Sequence, residues 1–177
     1  MYKRQAIYTP EGELIAQTEI GTPIHLGVMP SAVFNVLQTY SLDELKPGDH
    51  ILVNEPYPVG PGHLNDITCV SPVFFEGKVM ALVANMAHHV DVGGYAPGSM
   101  PAGVSEIFQE GLQIPPIKIV KQGKLDKELM RFINQNVRTT VESRGDIMAQ
   151  VAANNVGIRR FQELIRRYNP SLIDFYM

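Results

Sequence analysis

The sequence predicts an α+β fold: a β-rich N-terminal part built around a central apolar hairpin, followed by a mainly helical C-terminal part. Two observations carry this expectation. Two near-continuous apolar runs, ITCVSPVFF and KVMALVANMA, are separated only by Glu76 and Gly77, as in adjacent antiparallel strands covered on both faces. Beyond residue 125 the apolar residues recur at three- and four-residue steps, the helical period. A single domain is expected, with a β-rich region over 1–125 and a helical region over 126–177 packed on it. Its 177 residues, 45% of them hydrophobic, suffice for one sizeable core.

In chain order, Ala6 to Tyr8 and Leu14 to Ala16 flank the turn formers Thr9, Pro10, Glu11 and Gly12 and read as a hairpin. Residues 21–30, GTPIHLGVMP, hold two prolines and two glycines, which argues for an extended, buried connection. Val33, Val36 and Leu37 then have helical spacing, with Ser31 as a candidate N-cap. Ser41 and Glu44 have capping-box spacing. A strand centred on Ile51 to Val53 leads into the loop PYPVGPG, and the central hairpin follows.

The segment DVGGYAPGSMP is an irregular loop. A short helix is expected over 105–112 with Ser105 as N-cap, then a strand over 117–120 and a turn at 121–124. Residues 126–136 read as an amphipathic helix burying Leu129, Phe132 and Ile133. The longest helix is expected over 145–168, where Ile147, Val151, Asn154, Ile158, Phe161 and Ile165 recur. Its arginines Arg159, Arg160, Arg166 and Arg167 read as a solvated or partner-facing surface. The closing SLIDFYM is apolar, the composition of a segment that docks against a subunit or a continuing chain.

A net charge of −3 and a pI near 5.9 give no basic footprint for nucleic acid or an anionic membrane. One cysteine, Cys69, permits no intramolecular disulfide and fits a reducing compartment, with cytoplasm the default. No stretch has the length of a membrane span or the pattern of a signal peptide.

The chemistry concentrates between Gly62 and Met100. His63 and Asp66 fall in one polar turn, and His88, His89 and Asp91 in a second. Antiparallel pairing of the intervening runs places both turns at one open end. Imidazole and carboxylate are ligands for divalent zinc or manganese, and such an ion yields hydroxide near neutral pH. Strand alternation sends His88 and His89 to opposite faces, so only one should bind directly. His63, Asp66 and His89 are the expected ligands, since Asp91 shares the alternation of His89 and can ligate or orient an imidazole. His25 reads either as a core histidine or as lining the site. Ser99 lacks a G-x-S-x-G elbow, Cys69 sits mid-strand, and the glycine-rich turns match no nucleotide-binding loop.

Several stretches carry a resemblance to a known family: EGELIAQ with PIHLGVMP, NEPYPVGPGHLNDITCVSPVFFEGK, ANMAHHVDVGGYAPGSMP, IFQEGLQIPPIKI, and NVRTTVESRGDIMAQVAANNVGIRRFQELI. In this order they resemble the hydantoinase B/oxoprolinase subunits, which are related to the large subunits of acetone and acetophenone carboxylases. The resemblance implies opening of a cyclic amide such as a hydantoin, 5-oxoproline or a lactam. In that scheme an A-type partner subunit binds ATP and activates the substrate, and the B-type subunit holds a divalent metal. It places the metal on His63, Asp66 and His89, with His88 and Asp91 beside them; His88, Asp91 and His25 are the expected catalytic or site-lining residues. Family B subunits are longer, so the chain reads as an amino-terminal part or split subunit whose C-terminal portion comes from another chain. The alternatives are a subunit of an ATP-dependent ketone carboxylase and a non-catalytic structural subunit.

Overall fold

The computed structural model describes residues 3–18, 23–57, 60, 62–99 and 101–168, and the side chains of residues 3, 4 and 23–26 lie outside that description. One seven-stranded sheet organises these residues. Its strands are β1 (Lys3–Tyr8), β2 (Leu14–Gln17), β3 (His50–Val53), β4 (Asp66–Phe75), β5 (Lys78–His88), β6 (Ile117–Lys121) and β7 (Lys124–Leu125). The spatial order is β2-β1-β5-β4-β3-β6-β7, so the apolar hairpin β4–β5 is central, as its composition demands. Every pairing is antiparallel.

Two residues turn the hairpin. Glu76 and Gly77 have φ of 48° and 81°, the doubly left-handed pair of a tight turn matched to strand twist. Val79 pairs with Phe74 and Ala81 with Val73, leaving Met80 as one extra residue on β5. Beyond this bulge the register holds to the far end, where Asp66 lies opposite His88.

Helix α1 (Pro23–Thr39) covers one face. Met29, Ala32, Val33 and Val36 pack there against Val70, Leu82, Ala84 and Met86. Helix α3 (Thr140–Tyr168) covers the other: Ile147 and Val151 meet Ile67 and Cys69, and Phe161 and Ile165 meet Val73 and Val83. Helix α2 (Lys127–Gln135) adds Met130 and Ile133 to the α3 side, and Asp126 caps it by accepting from the Leu129 N–H at 3.0 Å.

Several local expectations change. Residues 23–30 are helical, with Pro23 in the first position and Pro30 inside α1, and Ser31 is therefore no N-cap. Proline suits the first turn, whereas an internal proline costs about 3 kcal/mol. Full burial of Met29, Val33 and Val36 at about 1.5–3 kcal/mol each outweighs that cost. The expected helix over 105–112 is only a 3-10 turn at Ile107–Gln109, because Leu112 is drawn into a 2.7 Å N–H bond to the Val92 carbonyl. In α2, Met130 and Ile133 are the buried residues and Phe132 is 57% exposed. The long helix starts at Thr140 rather than Gly145. Arg159, Arg160, Arg166 and Arg167 are exposed. Residues 171–177, SLIDFYM, lie outside the described residues.

Candidate catalytic site at the open end of the central hairpin

Asp66 opens β4 and His88 closes β5, and their register makes them direct neighbours on the α1 face of the sheet. His88 Nδ1 is 2.9 Å from Asp66 Oδ1. Asp66 is 6% exposed, while the His88 side chain is 44% exposed. A carboxylate only accepts, so Nδ1 of His88 is the donor in this pair, and in the neutral ring the lone pair lies on Nε2. The His63 ring stacks on His88 with centroids 5.4 Å apart, and its Nδ1 lies 3.6 Å from Glu110 Oε2.

Buried amides hold the two turns together. Asn65 accepts the His89 N–H on its carbonyl and donates from Nδ2 to the His89 carbonyl, both at 2.8 Å. Asn54 Nδ2 donates to the carbonyls of Leu64 and Leu112 at 2.7 and 2.9 Å, and its Oδ1 accepts the Ile114 N–H at 2.6 Å. Both asparagines are fully buried. The site is therefore fixed by backbone satisfaction as much as by side-chain packing.

His89 points to the opposite face, 1% exposed, with Nε2 3.0 Å from Gln150 Oε1 of α3. Alternation does separate His88 from His89, and His88 is the imidazole delivered to Asp66. Asp91 is occupied differently again. Its carboxylate accepts from the Gly93 and Gly98 N–H groups, the Arg138 N–H and Arg138 Nη1, the last two at 2.8 Å. Burial opposes its ionisation, but the bonds from Arg138 and the two glycines prevail and hold the carboxyl below its ordinary range. Arg138 also donates to the carbonyls of Gly93, Gly94 and Ala96. Asp91 and Arg138 thus form the internal frame of the glycine-rich loop, a role for Arg138 that sequence patterns did not reveal.

Ser99 belongs to the same frame, accepting the Val92 N–H and donating to the Gly93 carbonyl, both at 2.8 Å. Cys69 is buried in β4, where desolvation pushes its thiol up to about 12. His25 falls in the first turn of α1, and its side chain lies outside the described residues.

The donor chemistry near His63 suits a metal in part: its Nε2 is enclosed and makes no hydrogen bond among the described residues. Yet among the described residues no three His, Cys, Asp or Glu side chains come together closely enough to hold an ion. The expected trio is divided, with Asp66 on one face and His89 on the other. As arranged, the described residues do not by themselves fit a three-ligand zinc or manganese site.

A buried carboxylate and a half-exposed histidine thus meet at the open end of an antiparallel hairpin, backed by a loop locked around an arginine. The profile of the hydantoinase B/oxoprolinase family matches residues 4–177, and the chain belongs to that family. It is 48% identical over 165 residues to an uncharacterized protein of Methanocaldococcus jannaschii, covering 92% of this chain and 29% of that protein. It is 38% identical to a 5-oxoprolinase of Dictyostelium discoideum, covering 97% of this chain and 13% of that protein. The crystal structure of the ATP-dependent caprolactamase from Pseudomonas jessenii superposes with a TM-score of 0.92 at 32% identity, covering 98% of this chain and 30% of that one. A nucleotide-free acetone carboxylase structure shares the fold, with a TM-score of 0.86 at 22% identity over 99% of this chain and 23% of that one. The chain thus spans less than a third of each of these proteins. No helix among the described residues is long and apolar enough to cross a membrane.

Proposed function

We propose that this chain works as the B-type part of an ATP-dependent cyclic-amide hydrolase, with Asp66 and His88 as its proton-handling pair. The observation that carries this reading is the 2.9 Å contact from His88 Nδ1 to Asp66 Oδ1, which leaves Nε2 of a partly exposed ring as the basic atom. Membership in the hydantoinase B/oxoprolinase family supports the substrate class, as do relatives named for 5-oxoproline and caprolactam.

In the proposed reaction an A-type partner uses ATP to activate the amide oxygen. His88 Nε2 takes a proton from water as the water oxygen bonds to the carbonyl carbon. The same proton passes to the leaving ring nitrogen as the C–N bond breaks, which opens the ring; the phosphoryl group that ATP placed on the amide oxygen, with release of ADP, leaves as inorganic phosphate when the resulting acyl phosphate is hydrolysed by a second water. Asp66 stabilises the imidazolium between these steps. His63 stacks against that ring and keeps it in plane, and the glycine-rich loop lets substrate approach closely. A divalent zinc or manganese ion, which the family resemblance implies, would supply an activated water. The described residues bring no more than two donors to one point, and none of these proton transfers passes through such an ion.

The test is reconstitution of the chain with an ATP-binding A-type partner and a chain supplying the remaining family length. ATP-dependent ring opening of 5-oxoproline, a hydantoin or caprolactam is expected. Absence of a ring-opened product from all three, or a carboxylated product from a ketone and bicarbonate, would overturn the reading. Elemental analysis of the same complex reports whether a third donor from elsewhere completes a metal site: one zinc or manganese retained per chain after dialysis shows that it does.

A further inference from the structure

We propose that Gln150 is a positioning residue that fixes His89 as its Nε2–H tautomer and so locks the two polar turns to α3. The geometry leaves one consistent assignment. Gln150 Nε2 lies 2.8 Å from the Ile67 carbonyl and Oε1 lies 3.0 Å from His89 Nε2. Turning the amide over would set its oxygen against the Ile67 carbonyl, acceptor against acceptor, so Oε1 is the atom that faces histidine. An amide oxygen accepts only, and His89 Nε2 must therefore donate. In the neutral ring the lone pair then resides on Nδ1.

Burial makes this assignment consequential. Gln150 is 0% exposed and His89 1% exposed, so water does not compete for either group. Among the described residues, Asn65 holds both the N–H and the carbonyl of His89, and Gln150 holds its ring. Asn65 belongs to the same turn as His63 and Asp66. Gln150 donates to Ile67, the residue after Asp66. The placement of Asp66 against His88 is thus referred to α3 through Gln150 and His89.

Four residues further along the same helix face, Asn154 makes an analogous set of bonds. Its Nδ2 donates to the Cys69 carbonyl at 2.9 Å and its Oδ1 accepts from Asn85 Nδ2 at 2.7 Å. Asn154 touches neither His89 nor the polar turns through any of these bonds. It serves as an internal control: the same kind of buried anchor, without the histidine.

The effect on turnover rests on the cyclic-amide reading, whereas the tautomer does not. Nitrogen-15 NMR of the histidine rings in the full chain, at neutral pH, is expected to show His89 protonated at Nε2 with a slowly exchanging proton. Gln150→Leu should lose that signature, Gln150→Glu should keep it because a buried carboxyl stays protonated, donating its O–H to the Ile67 carbonyl while the other oxygen still accepts, and Asn154→Ala should leave it unchanged. In the assembled enzyme Gln150→Leu should lower kcat by about 10- to 100-fold, with Gln150→Glu recovering most of the loss. His89 found as the Nδ1–H tautomer in the wild-type chain overturns the assignment, even if Gln150→Leu fails to fold. Equal loss of activity in Gln150→Leu and Gln150→Glu, with the tautomer confirmed, overturns the positioning role alone. Absence of ring opening in the wild-type complex counts against the cyclic-amide reading, and the NMR spectrum still decides the tautomer.

Discussion

Asp66 and His88 face each other across the central strand pair, and the 2.9 Å contact between their side chains closes the sheet at the end where the family's polar turns meet. The carboxylate is buried and the imidazole reaches solvent, so the pair has a fixed inner partner and a working outer atom. Replacing His88 by Gln should lower kcat for ring opening by about 10²–10⁴, the usual contribution of a positioned acid–base group. Asp66→Asn should lower it by less, because it disturbs orientation and leaves the imidazole in place. Steady-state kinetics on the assembled enzyme checks both; a His88→Gln enzyme within a few-fold of wild type refutes the assignment.

Arg138 should control the glycine-rich loop. Truncation to Ala removes one charged bond to a buried carboxylate and the bonds to three loop carbonyls. A loss of about 2–3 kcal/mol in urea unfolding is expected, together with faster proteolytic cleavage within residues 91–99. Arg138→Lys should not restore protection, since a single ammonium cannot reproduce the forked geometry. An unchanged unfolding midpoint and cleavage rate would show the loop to be held otherwise.

His50 makes stability depend on pH. Burial pushes its pKa down to about 4, against smaller raising effects from Asn155 and from the Asp49 charge. The unfolded chain therefore takes up a proton more readily than the folded one between pH 6.5 and about 4. Stability should fall by an amount of order 3 kcal/mol as pH drops through that window, then level off with respect to this group. Denaturant titrations at a series of pH values, compared with His50→Gln, measure the difference. A variant with the same slope as wild type would show that other groups carry it.

Patterns set by a local period were legible in the sequence. The β4–β5 hairpin, its central position and the opposition of His88 to His89 follow from near-continuous apolar runs, a two-residue turn and strand alternation. Helix α1 was hidden because Pro23 and Pro30 are read locally as breakers, while the burial that offsets them comes from strands up to sixty residues away. Arg138 and Gln150 were hidden for a related reason. In sequence, one lies between the two expected C-terminal helices and the other within the longer of them. Their roles lie in the carbonyls of Gly93 and Ile67, which no local pattern announces. His89 shares the alternation of Asp91, which favours it as a ligand, whereas the register that sets His88 opposite Asp66 depends on a bulge that local alternation does not show.

That register depends on Met80. With Met80 paired in the ladder instead of bulged out, Asp66 would fall opposite Ala87, and the imidazole on its face would be that of His89. The bulge lies eight residues from His88, about 26 Å along the strand, so the identity of the chemically competent histidine is decided at the far end of the hairpin. Deleting Met80 would remove the bulge and keep Asp66 opposite His88, whereas drawing Met80 into the ladder would act as a change of reagent, exchanging one imidazole for another with every site side chain still encoded. For comparing relatives, it follows that the bulge between the turn and the histidine pair carries as much information about reactivity as the histidines themselves.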